Sequence, residues 1–442
     1  MKIVFIEPHS SKVNVYSKIP MPLLGPVYLG TILKARGHEV EIYNEDIRPP
    51  DYRRLRADVI GLSLLTSTAR RGYEIAGKFP KDKVIMGGVH PSLLPQEALA
   101  FARQVVTGEA EGVIADVIEG RIKDPIVRGA PVENLDLLPF PDFSLVKGLP
   151  PKPLLLPVST SRGCPFDCSF CSVTLMFGRK YRFRDPANVM KELEGSRARR
   201  VFFCDDNFSA NPRRTKILLE LLSKSGIRNW VCQVRCDAAR DPELLELMSR
   251  AGCELVCVGF ESINPETLKA YQKNQTLEEI IRAIRSFHLK KIKIHGMFVL
   301  GGETDDRNTV LETVKFAVRQ KIETIQLMIL TPFPGTKVHE TLQAQKRIFT
   351  KDWRFYDGQH IVFTPSRLSA KDLQTTVLHA YRKFYSLLHS FSLFLSLRFR
   401  DALFRLIGYR LLRQWMRQDR DMAWLKARAV TVSGAEIPGE TR

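Results

Sequence analysis

Apolar runs and helical stripes alternate through the first 130 residues. Residues 2–7 (KIVFIE) carry the unbroken apolar run Ile3 to Ile6, as in a strand buried on both faces of a parallel sheet. Residues 25–36 then place Leu29, Ile32 and Leu33 on one side of a helix that Gly37 ends. Strands are predicted at 38–43, 57–65, 83–88 and 104–107, with a helix at 68–78. This rhythm implies a doubly wound, Rossmann-like α/β domain, whose ligands lie at the carboxyl ends of the strands. Those ends carry small and polar candidates: Ser63, Thr66, Gly87, Gly88, His90, Gly108 and Glu109. Gly87 and Gly88 lack a β-carbon, so a flat ligand or a phosphate could approach the backbone closely. No G-x-G-x-x-G follows the first strand, which argues against a dinucleotide.

A proline-rich stretch at 131–157 reads as a linker lying along both neighbouring domains. The alternation then resumes. Strands are expected at 154–161, 200–204, 230–235, 254–260, 291–300 and 324–330, with helices at 186–193, 211–224, 241–251, 277–287 and 304–319. Six βα units fall short of the eight in a closed barrel, so a partial (βα)6 barrel over 158–345 is predicted. Polar groups close its strands: Asp205 and Asp206 beside Cys204, Arg235, Glu261 with Ser262, and Gly301 with Gly302. Each alone could be a cap or turn. Together at one barrel end they exceed what capping requires.

Cys164, Cys168 and Cys171 stand at C-x3-C-x2-C spacing just after the first of these strands, with Phe170 before the third. A zinc site would want a fourth ligand, and no histidine is near. A [4Fe–4S] cluster usually takes four thiolates, so three leave one iron open to chemistry. All eight cysteines fall between Cys164 and Cys257. That is no disulfide framework, and it suits a reducing cytosol. Cys204, Cys232, Cys236, Cys253 and Cys257 read as buried packing residues.

The three-cysteine motif resembles the signature of radical S-adenosylmethionine (SAM) enzymes. Residues 1–130 resemble the cobalamin (B12)-binding domain that precedes the barrel in one large subfamily. That likeness rests on the Pro22-Leu23-Leu24-Gly25-Pro26-Val27-Tyr28-Leu29 entry, the Gly87-Gly88-Val89-His90-Pro91 turn and the Gly108-Glu109-Ala110-Glu111-Gly112 loop. The resemblance implies a [4Fe–4S] cluster on the three cysteines, SAM on its fourth iron, and cobalamin. It places Phe170 near adenine, Asp205 and Asp206 at the SAM amino group, and Glu261 and Ser262 at its ribose or carboxylate. Arg235 would take the carboxylate, and Gly301 and Gly302 would pass under SAM. The second-strand motif is Asp-Asp-Asn where many relatives have Gly-Gly-Glu. The Asp-x-His-x-x-Gly motif of the mutases is absent, so cobalamin is expected with its tail displaced and no histidine on cobalt; His90 could touch corrin edges.

Such relatives cleave SAM to a 5′-deoxyadenosyl radical, and many methylate unactivated carbon. The alternatives are a B12-dependent cyclase or rearrangement enzyme, and a methylthiotransferase acting on tRNA. An electron donor of the flavodoxin or ferredoxin type is expected. The chain has 442 residues, 44% hydrophobic and 26% charged, and a formal charge of +19. That charge permits an anionic partner without choosing one. Nucleic acid is not favoured, since no RNA-binding module is seen. No signal peptide or apolar stretch of about 18 residues is present, so a cytoplasmic location is expected.

Residues 346–429 read as a mostly helical region and 430–442 as a disordered tail. An aromatic stretch at 351–363 is placed to close the barrel's open side, with His360 read as a surface residue. From 384 to 426 apolar positions recur at helical spacing among Arg398, Arg400, Arg405, Arg410, Arg413, Arg417 and Arg420. That pattern suggests contact with the inner membrane face and a small-molecule or lipid-like substrate.

Overall fold

Six parallel strands form the amino-terminal sheet of the computed structural model, which describes residues 1–10, 21–150, 155–196, 200–395, 397, 399–418, 422 and 425. They are β1 (Lys2–Glu7), β2 (Glu39–Asn44), β3 (Val59–Ser63), β4 (Val84–Gly87), β5 (Gln104–Gly108) and β6 (Ile126–Gly129), in the order β2-β1-β3-β4-β5-β6. Alternate residues of β1 feed two cores: Ile3 and Phe5 pack on one face, Val4 and Ile6 on the other. That two-sided burial is why the middle of β1, Ile3 to Ile6, must be apolar throughout. The order reverses between β1 and β3, which opens a crevice at their carboxyl ends. Strand β6 was not foreseen: its four residues follow Pro125 and include exposed Arg128.

Glu7 ends β1 in a buried position. It accepts from the Leu23 amide (3.0 Å) and Asn44 Nδ2 (2.6 Å), fixing the start of the helix Leu24–Ala35. Burial pushes its carboxyl up to about 7, against the pull of these two donors. The folded state therefore holds this proton more tightly than the unfolded chain, so stability falls as pH rises from about 4 to about 7, and levels above that. Relative to Glu7→Gln, the parent should lose on the order of 2–3 kcal/mol across that window. Melting curves of the pair from pH 4 to 8 check this.

The second sheet is also parallel and six-stranded: β7 (Leu156–Val158), β10 (Val201–Phe203), β11 (Trp230–Val234), β12 (Cys253–Glu261), β13 (Lys293–Leu300) and β14 (Thr324–Ile329), ordered β14-β13-β12-β11-β10-β7. It is the open barrel that six βα units imply. A two-residue antiparallel ladder, β8 (Ser161–Arg162) with β9 (Arg182–Phe183), brackets the cysteine loop. No sequence period marks so short a ladder. Cys232, Cys236 and Cys253 are buried in the barrel core, as packing residues would be.

The stretch after β6 touches both domains: Val146 bridges to Ile42 of β2, and Asp136 accepts from the Asp185 amide of the barrel at 3.0 Å. Carboxyl-terminal to the barrel, the helix Ala370–Phe384 lays Tyr381 along β14, its hydroxyl accepting from the Leu327 amide at 2.8 Å. His360 is fully buried, 2.8 Å from Asp357 and against Trp415, which corrects its reading as a surface residue. Helices Leu387–Leu395 and Phe399–Gln418 follow. The expected tail at 430–442 lies outside the described residues, as do Arg398 and Arg420.

Candidate active site

Cys164, Cys168 and Cys171 line one cavity of about 180 Å³ at the carboxyl end of the barrel. Their loop is pinned at several points. Gly163 turns at φ +84°, where a β-carbon would meet the Lys180 carbonyl at 2.5 Å. The Cys171 amide donates to the Cys168 carbonyl (3.1 Å), and Lys337 Nζ reaches Asp167 (2.9 Å). Burial pushes the Cys171 thiol up to about 12 and raises Cys164. Thiolates there need a positive partner to form. Among the described residues no trio of His, Cys, Asp or Glu is drawn in to the spacing of a single metal ion. A cubane binds each thiolate at a different corner, so its ligands stand further apart. Three sulfurs spread around one cavity fit that group better than they fit zinc.

The same cavity is lined by Phe170, Asp206, Arg235, Glu261 and Lys273. Glu261 ends β12 at φ +63°, beside a register shift, a conformation that a non-glycine residue adopts at a cost. Its carboxylate is held by Lys273 Nζ at 2.6 Å, with both side chains buried. Burial opposes the ammonium charge of Lys273, but Glu261 outweighs it and raises the pKa. Sequence reasoning missed Lys273, which follows a one-turn helix with no periodic signal. The Arg235 guanidinium lies 3.7 Å over the Phe166 ring and donates to the Lys273 carbonyl at 2.8 Å. Phe170 stands edge-on to Tyr271.

Four predicted SAM contacts do not line this cavity. Asp205 is buried and accepts from the Thr160 amide (2.7 Å), Thr160 Oγ1 (2.6 Å) and the Ser161 amide (2.7 Å). It ties β10 to the start of the cysteine loop. Ser262 Oγ accepts from the Asn264 amide, capping a turn. The amides of Gly301 and Gly302 both donate to Asp305, and a β-carbon on Gly301 would meet Leu373 at 2.6 Å. These glycines serve close packing.

A second cavity, about 310 Å³, opens at the β1/β3 crevice. Ser63, Gly87, Gly88, Gly108 and Glu109 line it, with apolar Leu24, Leu65, Met86 and Ile114. A side chain at Gly25 would project into open space there. Gly88 turns at φ +96°, with the Leu64 backbone 2.9 Å from where its β-carbon would be. The carbon-rich lining suits a corrin, and among the described residues no histidine lines it. Two expectations are revised. His90 is buried elsewhere, its Nε2 3.1 Å from the Tyr73 hydroxyl and 3.2 Å from Glu97, its ring against Trp353. Thr66 is buried outside the cleft.

The far wall of this cleft comes from the barrel: Ser159, Ser161, Arg162, Met176, Phe177, Cys204 and Asp206. Asp206 thus borders both cavities. Burial, and then the charge of Asp205, pushes its carboxyl up to about 7. A charge cluster holds the two walls in register. Glu109 accepts from Arg162 at 2.7 Å and from both terminal nitrogens of Arg182, while Arg162 also donates to Glu111 at 2.6 Å. Burial works against the Glu109 charge, but Arg182 and Arg162 hold its carboxyl below the usual carboxylate range. Nothing in the sequence joins residues so far apart.

Comparison with known proteins agrees with this geometry. The radical SAM superfamily matches residues 158–343, and the B12 binding domain matches 12–118. Bacteriochlorophyllide d C-12(1)-methyltransferase from Chlorobaculum tepidum is 32% identical over 344 residues, covering 74% of this chain and 75% of that protein. The chain belongs to the B12-binding radical SAM family. The C-8(2)-methyltransferase of the same organism is 28% identical, covering 80% of this chain and 84% of its own. The solved radical SAM methyltransferase TsrM from Kitasatospora setae, with cobalamin and a [4Fe–4S] cluster bound, shares the fold at TM-score 0.63 and 18% identity, over 78% of this chain and 75% of that one. This B12-binding radical SAM protein is therefore an enzyme of the methyltransferase type, with a [4Fe–4S] cluster, SAM and cobalamin as cofactors.

Proposed function

We propose that this radical SAM enzyme transfers a methyl group, by way of cobalamin, to an unactivated carbon of an apolar, ring-built small molecule of the pigment or lipid-like class. The observation that carries this reading is the shared wall. Asp206 borders both the three-cysteine cavity and the cleft, so a substrate between them faces both. When bound, the cluster supplies the electron that splits SAM into methionine and a 5′-deoxyadenosyl radical, and cobalamin carries the methyl group. Cys164, Cys168 and Cys171 would hold the cluster. The fixed fork of Arg235 suits the SAM carboxylate. Asp206 would face the amino group, Glu261 braced by Lys273 would hold the ribose, and Phe170 would lie by adenine. Ser63, Gly87, Gly88 and Gly108 would let the corrin lie against backbone. The carbon-rich cleft keeps water from a reactive carbon. The electron would come from a flavodoxin- or ferredoxin-type donor.

The test is an anaerobic incubation with reductant, cobalamin, SAM bearing a deuterated methyl group, and either a tetrapyrrole with alkyl side chains or a polycyclic triterpenoid. Methyl transfer gives a product carrying the label, with one S-adenosylhomocysteine and one 5′-deoxyadenosine for each turnover. Altered substrate with 5′-deoxyadenosine but no S-adenosylhomocysteine would replace this reading with cyclisation or rearrangement. Neither nucleoside product with any substrate would remove it.

A further inference from the structure

We propose that the carboxyl-terminal helical hairpin seats the protein on an anionic lipid bilayer. The hairpin is the pair Leu387–Leu395 and Phe399–Gln418. Around its turn and first helix, large apolar side chains face outward: Leu388 is 83% exposed, Leu397 76%, Leu395 66% and Phe391 60%. Single exposed leucines need no explanation, but exposed large apolar side chains clustered within residues 388–399 mark a contact surface.

Charge selects the partner. Between residues 373 and 418 the chain has eight Lys and Arg, and Asp401 is the only acid. Asp401 is buried and bound to Lys293 at 2.7 Å, so it offers nothing to solvent. Beside Leu388 runs a groove of about 690 Å³, lined by Lys315, Arg319, His379, Arg382, Lys383 and His389. Glu312 answers Lys315 at 2.6 Å and Arg319 at 3.9 Å. Among the described residues Arg382 and Lys383 have no acidic partner. Burial lowers the pKa of His379, and Lys383 and Arg382 lower it further, so the cations there crowd one another. Lipid acyl chains suit the apolar tip, and anionic headgroups suit the groove. A second copy of the chain suits neither, since a two-fold dimer would set groove against groove. Among the described residues no helix is long and apolar enough to cross a membrane, and an amphipathic hairpin of this kind would lie in the interface.

The root of the hairpin is rigid. Arg405 stacks on Phe384 at 3.4 Å and donates to the Phe384 and Ile322 carbonyls at 2.6 and 3.2 Å, and Trp415 is fully buried. Lys293 and Ile322 lie at the amino ends of β13 and β14, opposite the end that carries the cysteines. Docking there leaves both cavities unobstructed, so this inference does not depend on the proposed methyl transfer.

The test is flotation of the full-length holoenzyme with vesicles of phosphatidylcholine, alone or mixed with one third phosphatidylglycerol. The parent should bind the anionic vesicles at least about tenfold more tightly. Leu388→Ser/Phe391→Ser/Phe394→Ser and Arg382→Glu/Lys383→Glu should each weaken that binding by about tenfold or more. SAM cleavage in solution should not change in either variant. Equal binding to both vesicles, no binding, or variants that float like the parent would overturn the proposal. So would self-association abolished by the apolar variant without vesicle binding.

Discussion

Alanine at Cys164, Cys168 or Cys171 should reduce SAM cleavage to the level of a protein-free control. Each sulfur lines the same cavity, and within it there is no fourth cysteine and no histidine to take over a lost corner. The expected readouts are loss of cluster iron and sulfide after anaerobic reconstitution, and no 5′-deoxyadenosine under strong reduction. The three side chains are only partly buried, so each variant should melt within about 1 kcal/mol of the parent. Cys253→Ala is the contrast. That thiol sits in the barrel core and faces no cavity described above. Its loss should cost about 1 kcal/mol of stability and leave the cluster intact. If Cys253→Ala loses the cluster while Cys168→Ala keeps it, the cysteine assignment is wrong.

The parts of this molecule that were legible in advance are those with a local physical signature. Strand β1 is legible because both of its faces are buried, and the glycines at 87 and 88 mark places where backbone can come close. The cysteine spacing was legible because three thiols on one loop have few structural uses. What stayed hidden was set by distance along the chain. Asp205 and Asp206 are neighbours in one motif, yet one ties down the Thr160 and Ser161 amides while the other faces two cavities. Both follow the end of β10, in a loop where no sequence period says which side chain turns toward a ligand. His90 looked like a ligand residue from its turn; the Trp353 ring, 263 positions later, is what claims it.

Replacing Arg182 with Met should be the most damaging substitution outside the cofactor cavities. Arg182 and Glu109 have side chains only 2% exposed, and with Arg162 and Glu111 they form a neutral quartet between the amino-terminal domain and the barrel's β8/β9 ladder. Removing one cation leaves an uncompensated buried charge, and strips donors from the Val132 and Phe177 carbonyls as well. The expected cost is about 3–5 kcal/mol. Glu109→Gln/Arg182→Met should be less destabilised than the sum of its single changes by about 0.5–3 kcal/mol, because Arg162 and Glu111 still pair. The pH dependence has a definite sign. Glu109 is held below its unfolded value, so its contribution is complete above about pH 4.3 and is lost as pH falls toward the lower folded value. The deficit of Arg182→Met should therefore be largest near neutrality and shrink on acidification. Because the cleft takes one wall from each domain, the variant should also bind cobalamin roughly tenfold more weakly, while its cysteine cavity, built from the barrel alone, still supports SAM cleavage. Weak corrin binding beside intact radical formation would separate a clamp that sets the spacing of two sites from one that merely keeps the chain folded.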